Sequence, residues 1–239
     1  IESFMGVDLS GLTYERQSKH DSGAGSLFDD EKNRLQKVVS DLLREYYSCS
    51  DHDSKIKLQQ RITDTINAQL EAQNYNPEIL RELRTINLAE NNKFFLWHTW
   101  FSDVFNRDDK EGFDIVIGNP PYIDSETMTL LGQTDLREYI TKHYKFIKGN
   151  WDIYMAFLEW GLNLSAGCLC YITPDKWLSK PFGSKFREQC MIPRMKTILH
   201  TGNKTFESAM VDAIITLFVR SSDVISAYKF DGNKNIIHV

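Results

Sequence analysis

The stretch FDIVIGNPPYI, Phe113 to Ile123, decides how the rest of the chain is read. Apolar and β-branched residues carry the backbone to Gly118 in the manner of a buried strand, and Asn119, Pro120, Pro121 and Tyr122 then follow at its carboxyl end. Downstream the same grammar repeats. NWDIYMAFLEWGLNLSAG predicts an amphipathic helix ended by Gly167, CLCYITP a strand stopped by Pro174, PFGSKFREQCMI a helix, and MKTILHTG and VDAIITLFV two strands. Short apolar strands separated by helices predict an α/β fold with a mostly parallel, doubly covered sheet. So little chain separates the last two strands that an antiparallel pair is expected there. Ligands of such sheets bind beyond the carboxyl ends of the strands, where Asn119 to Tyr122 stand.

Each of those four residues restricts what can bind. Asn119 offers a carbonyl acceptor beside two amide donors. Pro120 has a ring-fixed φ, which aims its carbonyl, and Pro121 holds Pro120 extended. Tyr122 adds a flat face. Two fixed acceptors beside a stacking ring suit a planar group bearing an –NH2, such as the exocyclic amine of a base. Holding both hydrogens favours a more tetrahedral nitrogen and frees its lone pair to attack an activated methyl, so placement and electrostatics do most of the work. In a duplex that amine is out of reach, so the base must be flipped out, and stacking on Tyr122 would return about 1–3 kcal/mol of the cost. The plain alternative is a rigid strand-to-helix turn with a packing tyrosine.

The first part of the chain reads differently. LFDDEKNRLQKVVSDLLREYY sets Leu35, Val38, Val39, Leu42 and Tyr46 at helical spacing. SDHDSKIKLQQRITDTINAQLEAQ does the same with Ile56, Ile62, Ile66 and Leu70, with Ser50 or Asp51 as N-cap. NPEILRELRTINLAE opens on Pro77 and predicts a third, shorter helix. The expected organisation is therefore a lead-in over 1–27, a helical module over 28–92 and a catalytic-motif half over 93–239. Charged residues at 26% and hydrophobic ones at 41% describe an ordinary globular chain, with no run long enough to span a membrane. Ile1 to Ser10 carries acids and no basic n-region, so no secretory leader is expected. Cys168 and Cys170, on one face of a strand, are too few for a zinc site and read with Cys49 and Cys190 as reduced thiols of a cytoplasmic protein. A net charge of −5 argues that this stretch alone grips nucleic acid weakly.

With these residues in hand, GNPPY resembles the catalytic motif of N6-adenine DNA methyltransferases, most closely those of type II systems with fused restriction and modification activities. KFFLWHTWFSDVFNRDDKEGFDIVIGNPPYI is similar to the segment in which an aromatic-rich strand and an acidic loop precede the catalytic strand. GNWDIYMAFLEWGLNLSAGCLCYITPDKWL resembles the family's helix–strand–Thr-Pro-x-x-Trp-Leu region, and FGSKFREQCMIPRMKTILHTGNKTFESAMVDAIITLFV its closing part, so the likeness runs from Lys93 to Val219. It implies a partial Rossmann-like S-adenosylmethionine-dependent methyltransferase sheet carrying a helical insertion. It further implies that Asn119 and the Pro120 carbonyl bind the adenine amine, that Tyr122 stacks on the flipped ring, and that Asn119 and Pro121 lie close to the methyl donor. Phe206 stands where the family has a second aromatic contact to the base, or is a core residue of its loop. Asp152 and Tyr154 fall in a stretch near the cofactor, although Asp152 reads equally as a helix N-terminal acid. Trp177 reads as structural and Lys176 as exposed.

Family members bind S-adenosylmethionine through a Gly-rich loop after a first strand. Only DSGAGSLFDD, Asp21 to Asp30, offers a candidate, and it reads better as a loop entering a helix at Phe28. FMGVDLS offers Asp8 as a ribose ligand, or a strand edge. Neither a target-recognition domain nor a nuclease cluster is recognisable. The expectation is therefore a central portion of a longer DNA-binding protein, inactive by itself. Methylation of a protein glutamine or RNA amine, and a non-catalytic binding module of the same fold, are the competing readings.

Overall fold

The computed structural model describes residues 27–72, 81, 97, 101–105, 107, 109–202, 212–230 and 235–239. It divides into two compact units, Ile1–Arg107 and Asp108–Val239. In the first, helices α1 (Leu27–Ser48) and α2 (His52–Ala72) form a hairpin. Asp51 caps α2 by accepting the Ser54 N–H at 2.8 Å, which settles the Ser50-or-Asp51 alternative in favour of Asp51. Val39, Leu42 and Leu43 of α1 and Leu58, Ile62 and Ile66 of α2 are buried. Val38 and Ile56, expected on the buried faces, are 40% and 52% exposed. Val38 borders the α1 stripe, and Ile56 lies two residues from Leu58, about 200° round the helix. Trp97 is helical and Phe101 stands in a turn, its N–H donating to the Trp97 carbonyl at 2.9 Å; the rest of the expected aromatic-rich strand lies outside the described residues. The predicted third helix lies almost wholly outside the described residues.

The second unit begins with β1 (Phe113–Gly118) and crosses through α3 (Ser125–Leu130), α4 (Thr134–His143) and α5 (Ile153–Leu164) to β2 (Ser165–Pro174). Short helical turns over residues 175–194 lead to β3 (Met195–Gly202), β4 (Ala213–Phe218), β5 (Ser226–Phe230) and β6 (Ile236–His238). The six strands make one mixed sheet in the order β1-β2-β4-β3-β5-β6. β1 runs parallel to β2 and β3 parallel to β5, whereas β4 lies antiparallel between β2 and β3, as the short link predicts. β5 and β6 were not foreseen from the sequence.

Gly167 is a residue of β2 rather than the stop of α5. A Cβ there would lie 2.0 Å from the Asp114 carbonyl oxygen, so glycine permits close approach of β1 and β2. One face of the sheet is buried along its two central strands, at Leu169, Tyr171 and Thr173 of β2 and Ile214, Thr216 and Phe218 of β4. α5 packs on this face through Gly161, whose Cβ would meet Leu169 and Tyr171 within 3 Å. Phe186, from the 175–194 turns, sits among Trp177, Phe146 and Phe218 with ring centroids 5.2–5.7 Å apart. Among the described residues the opposite face is only half covered. Cys168 and Cys170 are half-buried, and Ile115 and Ile117 of β1 are 67% and 77% exposed. No helix among the described residues is long and apolar enough to cross a membrane.

Candidate active site

β1 ends at Gly118 opposite Tyr171, while the neighbouring β2 runs on to Pro174, and the chain leaves β1 as Asn119-Pro120-Pro121-Tyr122. Pro120 is buried, whereas Asn119 and Pro121 face solvent and Tyr122 is half-buried. The Tyr122 hydroxyl donates to Asn119 Oδ1 at 2.9 Å and lies 3.3 Å from the Ile172 carbonyl of β2. Asn119 Oδ1 keeps a second lone pair, so this bond orients the amide and still leaves an acceptor. The ring of Tyr154 meets that of Tyr122 edge-on at 6.2 Å and 89°.

The turn is pinned to the start of α5. Ser125 N donates to the Trp151 carbonyl at 2.8 Å, Ile153 N to the Ile123 carbonyl at 2.9 Å, and Ile123 N to Asp152 Oδ1 at 3.0 Å. Asp124 and Asp152 thereby form a one-residue antiparallel bridge. Asp124 caps α3, accepting the N–H groups of Glu126 and Thr127 at 3.0 and 2.8 Å. Asn150 binds Ser125 Oγ at 2.9 Å and Glu126 at 3.0 Å. Both backbone polar groups of Ile123 are satisfied, so the four residues before it are held against a rigid neighbour. The sequence reading overlooked Asp124, Glu126 and Asn150. An aspartate two residues ahead of Glu126 at the start of a helix is the N-cap signal that could have found the first two, whereas no local signal marks Asn150.

Asp152 is 9% exposed. Burial pushes its carboxyl up to about 6, against the pull of the backbone N–H groups of Tyr154 and Ile123 and of Lys176. Burial, with Asp152 beside it, also raises the Tyr122 hydroxyl. The buried Tyr154 hydroxyl makes no hydrogen bond, and it too is raised, by burial first and then by Asp152 and Asp175. Asp124 is lowered chiefly by the Thr127 N–H. Asn119, Pro120, Pro121, Tyr122, Asp152 and Tyr154 are thus one cluster. Trp177 is fully buried and bonds Thr173 Oγ1 at 3.1 Å, while Lys176 is exposed. Phe206, Asp8 and the side chains of Asp21 to Asp30 lie outside the described residues, and no metal-binding cluster occurs among the described ones.

Residues 5–206 match the family described as Eco57I restriction-modification methylase. The chain belongs to that family. It is 39% identical over 77 residues to the type II methyltransferase M.PaeR7I of Pseudomonas aeruginosa, covering 31% of this chain and 13% of the relative. It is 35% identical over 78 residues to the type II restriction enzyme and methyltransferase RM.Eco57I of Escherichia coli, covering 32% of this chain and 8% of the relative. The chain therefore spans a small part of the length of these curated relatives. Among solved structures, the type IIL restriction-modification enzyme MmeI in complex with DNA is similar at 15% identity and a TM-score of 0.42, over 52% of this chain and 18% of that one. A chain of this methylase family with a mixed α/β sheet has the methyltransferase fold class that the sequence led us to expect.

Proposed function

We propose that this chain carries the base-binding site of an S-adenosylmethionine-dependent enzyme that methylates the N6 amine of a flipped-out adenine in DNA, within a longer restriction–modification protein. The observation that carries the reading is the pinned Asn119–Tyr122 turn, with its oriented amide at the carboxyl end of β1. Asn119 Oδ1 and the Pro120 carbonyl accept the two amine hydrogens, and Tyr122 stacks on the purine. The site then holds the nitrogen lone pair toward the methyl donor, with no strong base needed, because preorganised acceptors stabilise the charge that develops on the amine.

S-adenosylmethionine, when bound, supplies the activated methyl group. The residues present suit its cationic groups: Asp152 is a buried carboxylate, and the Tyr154 hydroxyl close by has no partner of its own. Asn119 and Pro121 border the same place. The domain division at 28–92 and 93–239, a target-recognition domain elsewhere in the protein and a contact from Phe206 to the base belong to this proposal. So does a site within the cytoplasm.

Retaining a buried carboxylate with a raised pKa is costly at neutral pH, which favours a functional role. In the folded chain Asp152 binds its proton more tightly than it does unfolded. Its ionisation therefore removes stability as pH climbs from about 4 through about 6. Asp152→Asn keeps an acceptor for Ile123 N and removes the charge. The variant is expected to be more stable than wild type by about 1–2 kcal/mol at pH 7.5, allowing for solvent screening, and equal to it below about pH 3.5, where the carboxyl is protonated in both states. Thermal unfolding at both pH values, beside calorimetric titration with S-adenosylmethionine, checks this; binding should weaken in the variant. Equal stability at both pH values would count against a strained Asp152.

The substrate class is tested by giving the full-length protein methyl-labelled S-adenosylmethionine with DNA, RNA or protein in separate reactions. Label in DNA is the expected result, and label in RNA or protein alone would overturn the assignment.

A further inference from the structure

Residues 108–239 hold 15 Lys and Arg against 16 Asp and Glu, so most of the net charge of −5 belongs to residues 1–107. Within this near-neutral unit two stretches contain no acid. Residues 139–151 carry Lys142, Lys145 and Lys148, and residues 176–187 carry Lys176, Lys180, Lys185 and Arg187. The fold joins them: Lys185 Nζ donates to the Lys145 carbonyl at 2.7 Å.

One end of each stretch is anchored beside the Asn119 site. The first runs directly into Asn150–Trp151–Asp152, the segment that pins the turn after Tyr122. Its backbone is fixed by the buried Glu159, which accepts the N–H groups of Lys145 and Phe146 at 2.9 and 3.0 Å. The second begins where β2 ends, next to the carboxyl end of β1. Its backbone is fixed by Arg187, which donates to the Trp177 and Lys180 carbonyls at 2.6 and 2.9 Å. Lys176 is near enough to lower both Asp124 and Asp152. Lys142, Lys145, Lys148, Lys176, Lys180 and Lys185 are all exposed, and none makes an ion pair with a described carboxylate.

An ordinary solvated surface intersperses charges of both signs. Here the cationic side chains stand on fixed backbone in stretches that contain no acid, and each stretch abuts the end of the sheet where the base is held. We propose that Lys145, Lys148, Lys180 and Lys185 bind the phosphates of the DNA backbone flanking the base that enters the Asn119 site. This rests on the DNA-methylating reading above. Phosphate contacts of this kind set position without reading sequence, and each releases condensed counterions, which makes its contribution legible in salt dependence.

The test uses the full-length protein and a fluorescein-labelled unmethylated duplex, with anisotropy titrations over a KCl series. Two double variants are compared, Lys145→Ala with Lys185→Ala and Lys148→Ala with Lys180→Ala, beside the matching Lys→Arg pairs. For each alanine pair the slope of log K against log [KCl] is expected to shallow by about 1–2, with affinity at low salt reduced several-fold. The arginine pairs are expected to keep the wild-type slope. Alanine slopes equal to wild type would overturn the proposal, as would arginine pairs that lose as much as alanine, a wild-type protein that binds no duplex, or tighter binding of RNA than DNA. A parallel methylation reaction separates the two readings. Adenine methylation with unchanged slopes removes only the lysine surface, whereas shallowed slopes without methylated adenine remove the functional reading and leave a DNA contact.

Discussion

Asn119→Ala is expected to slow methyl transfer to DNA about a thousandfold under single-turnover conditions while leaving the fold intact. The side chain is exposed and makes one described hydrogen bond, to the Tyr122 hydroxyl at 2.9 Å, so its loss opens no cavity in the core. What disappears is an acceptor aimed where the amine hydrogen must sit. Removing one preorganised group of this sort costs a factor of about 10²–10³ in other enzymes, or about 2.7–4 kcal/mol of barrier. Because the bond strengthens as charge develops on the nitrogen, the loss belongs in the chemical step more than in DNA affinity. Rapid-quench measurement at saturating DNA and cofactor separates the two. A fall of less than tenfold would mean that the amide is not an amine acceptor.

The second large effect is at Tyr122, where two substitutions divide two roles. Tyr122→Phe keeps the ring and its edge-on contact with Tyr154 at 6.2 Å but removes the hydroxyl that orients Asn119. One hydrogen bond of about 0.5–1.5 kcal/mol is lost, which predicts a fall of roughly threefold to tenfold in kcat/KM. Tyr122→Ala also removes the face on which the purine stacks. A further loss of about 1–3 kcal/mol brings the expected fall to about a hundredfold or more. Steady-state kinetics on the same duplex checks both. If phenylalanine and alanine are equally impaired, the ring does not stack and the hydroxyl alone matters.

Strands β1, β2 and β3 are legible because each is a short apolar run closed by Gly or Pro, whereas β5 and β6 carry no such mark. The same rule could not see that β1 leaves Ile115 and Ile117 exposed, since an apolar run is identical whether one face or two are covered. Gly167 was misread for a related reason. A glycine at the end of a helical pattern signals a stop, while its close approach to the Asp114 carbonyl exists only in three dimensions. In the site, Asn119 to Tyr122 stood out because four unusual residues sit in sequence. The clamp did not, because Ile123 and Asp152 are 29 residues apart and meet only through the crossover from β1 to β2. Asp152 was seen as either cofactor ligand or helix-start acid. The fold places it at the helix start and also against the turn, so its position alone does not separate those roles and the pH experiment must.

The most direct test of the account is the identity of the methylated nucleoside. Unmethylated plasmid DNA is incubated with the full-length protein and methyl-labelled S-adenosylmethionine, digested to nucleosides and separated by chromatography with mass detection. The account predicts label in N6-methyldeoxyadenosine for wild type and its absence for Asn119→Ala over the same time. Label in a methylated cytosine, or N6-methyldeoxyadenosine formed equally well by Asn119→Ala, would contradict it.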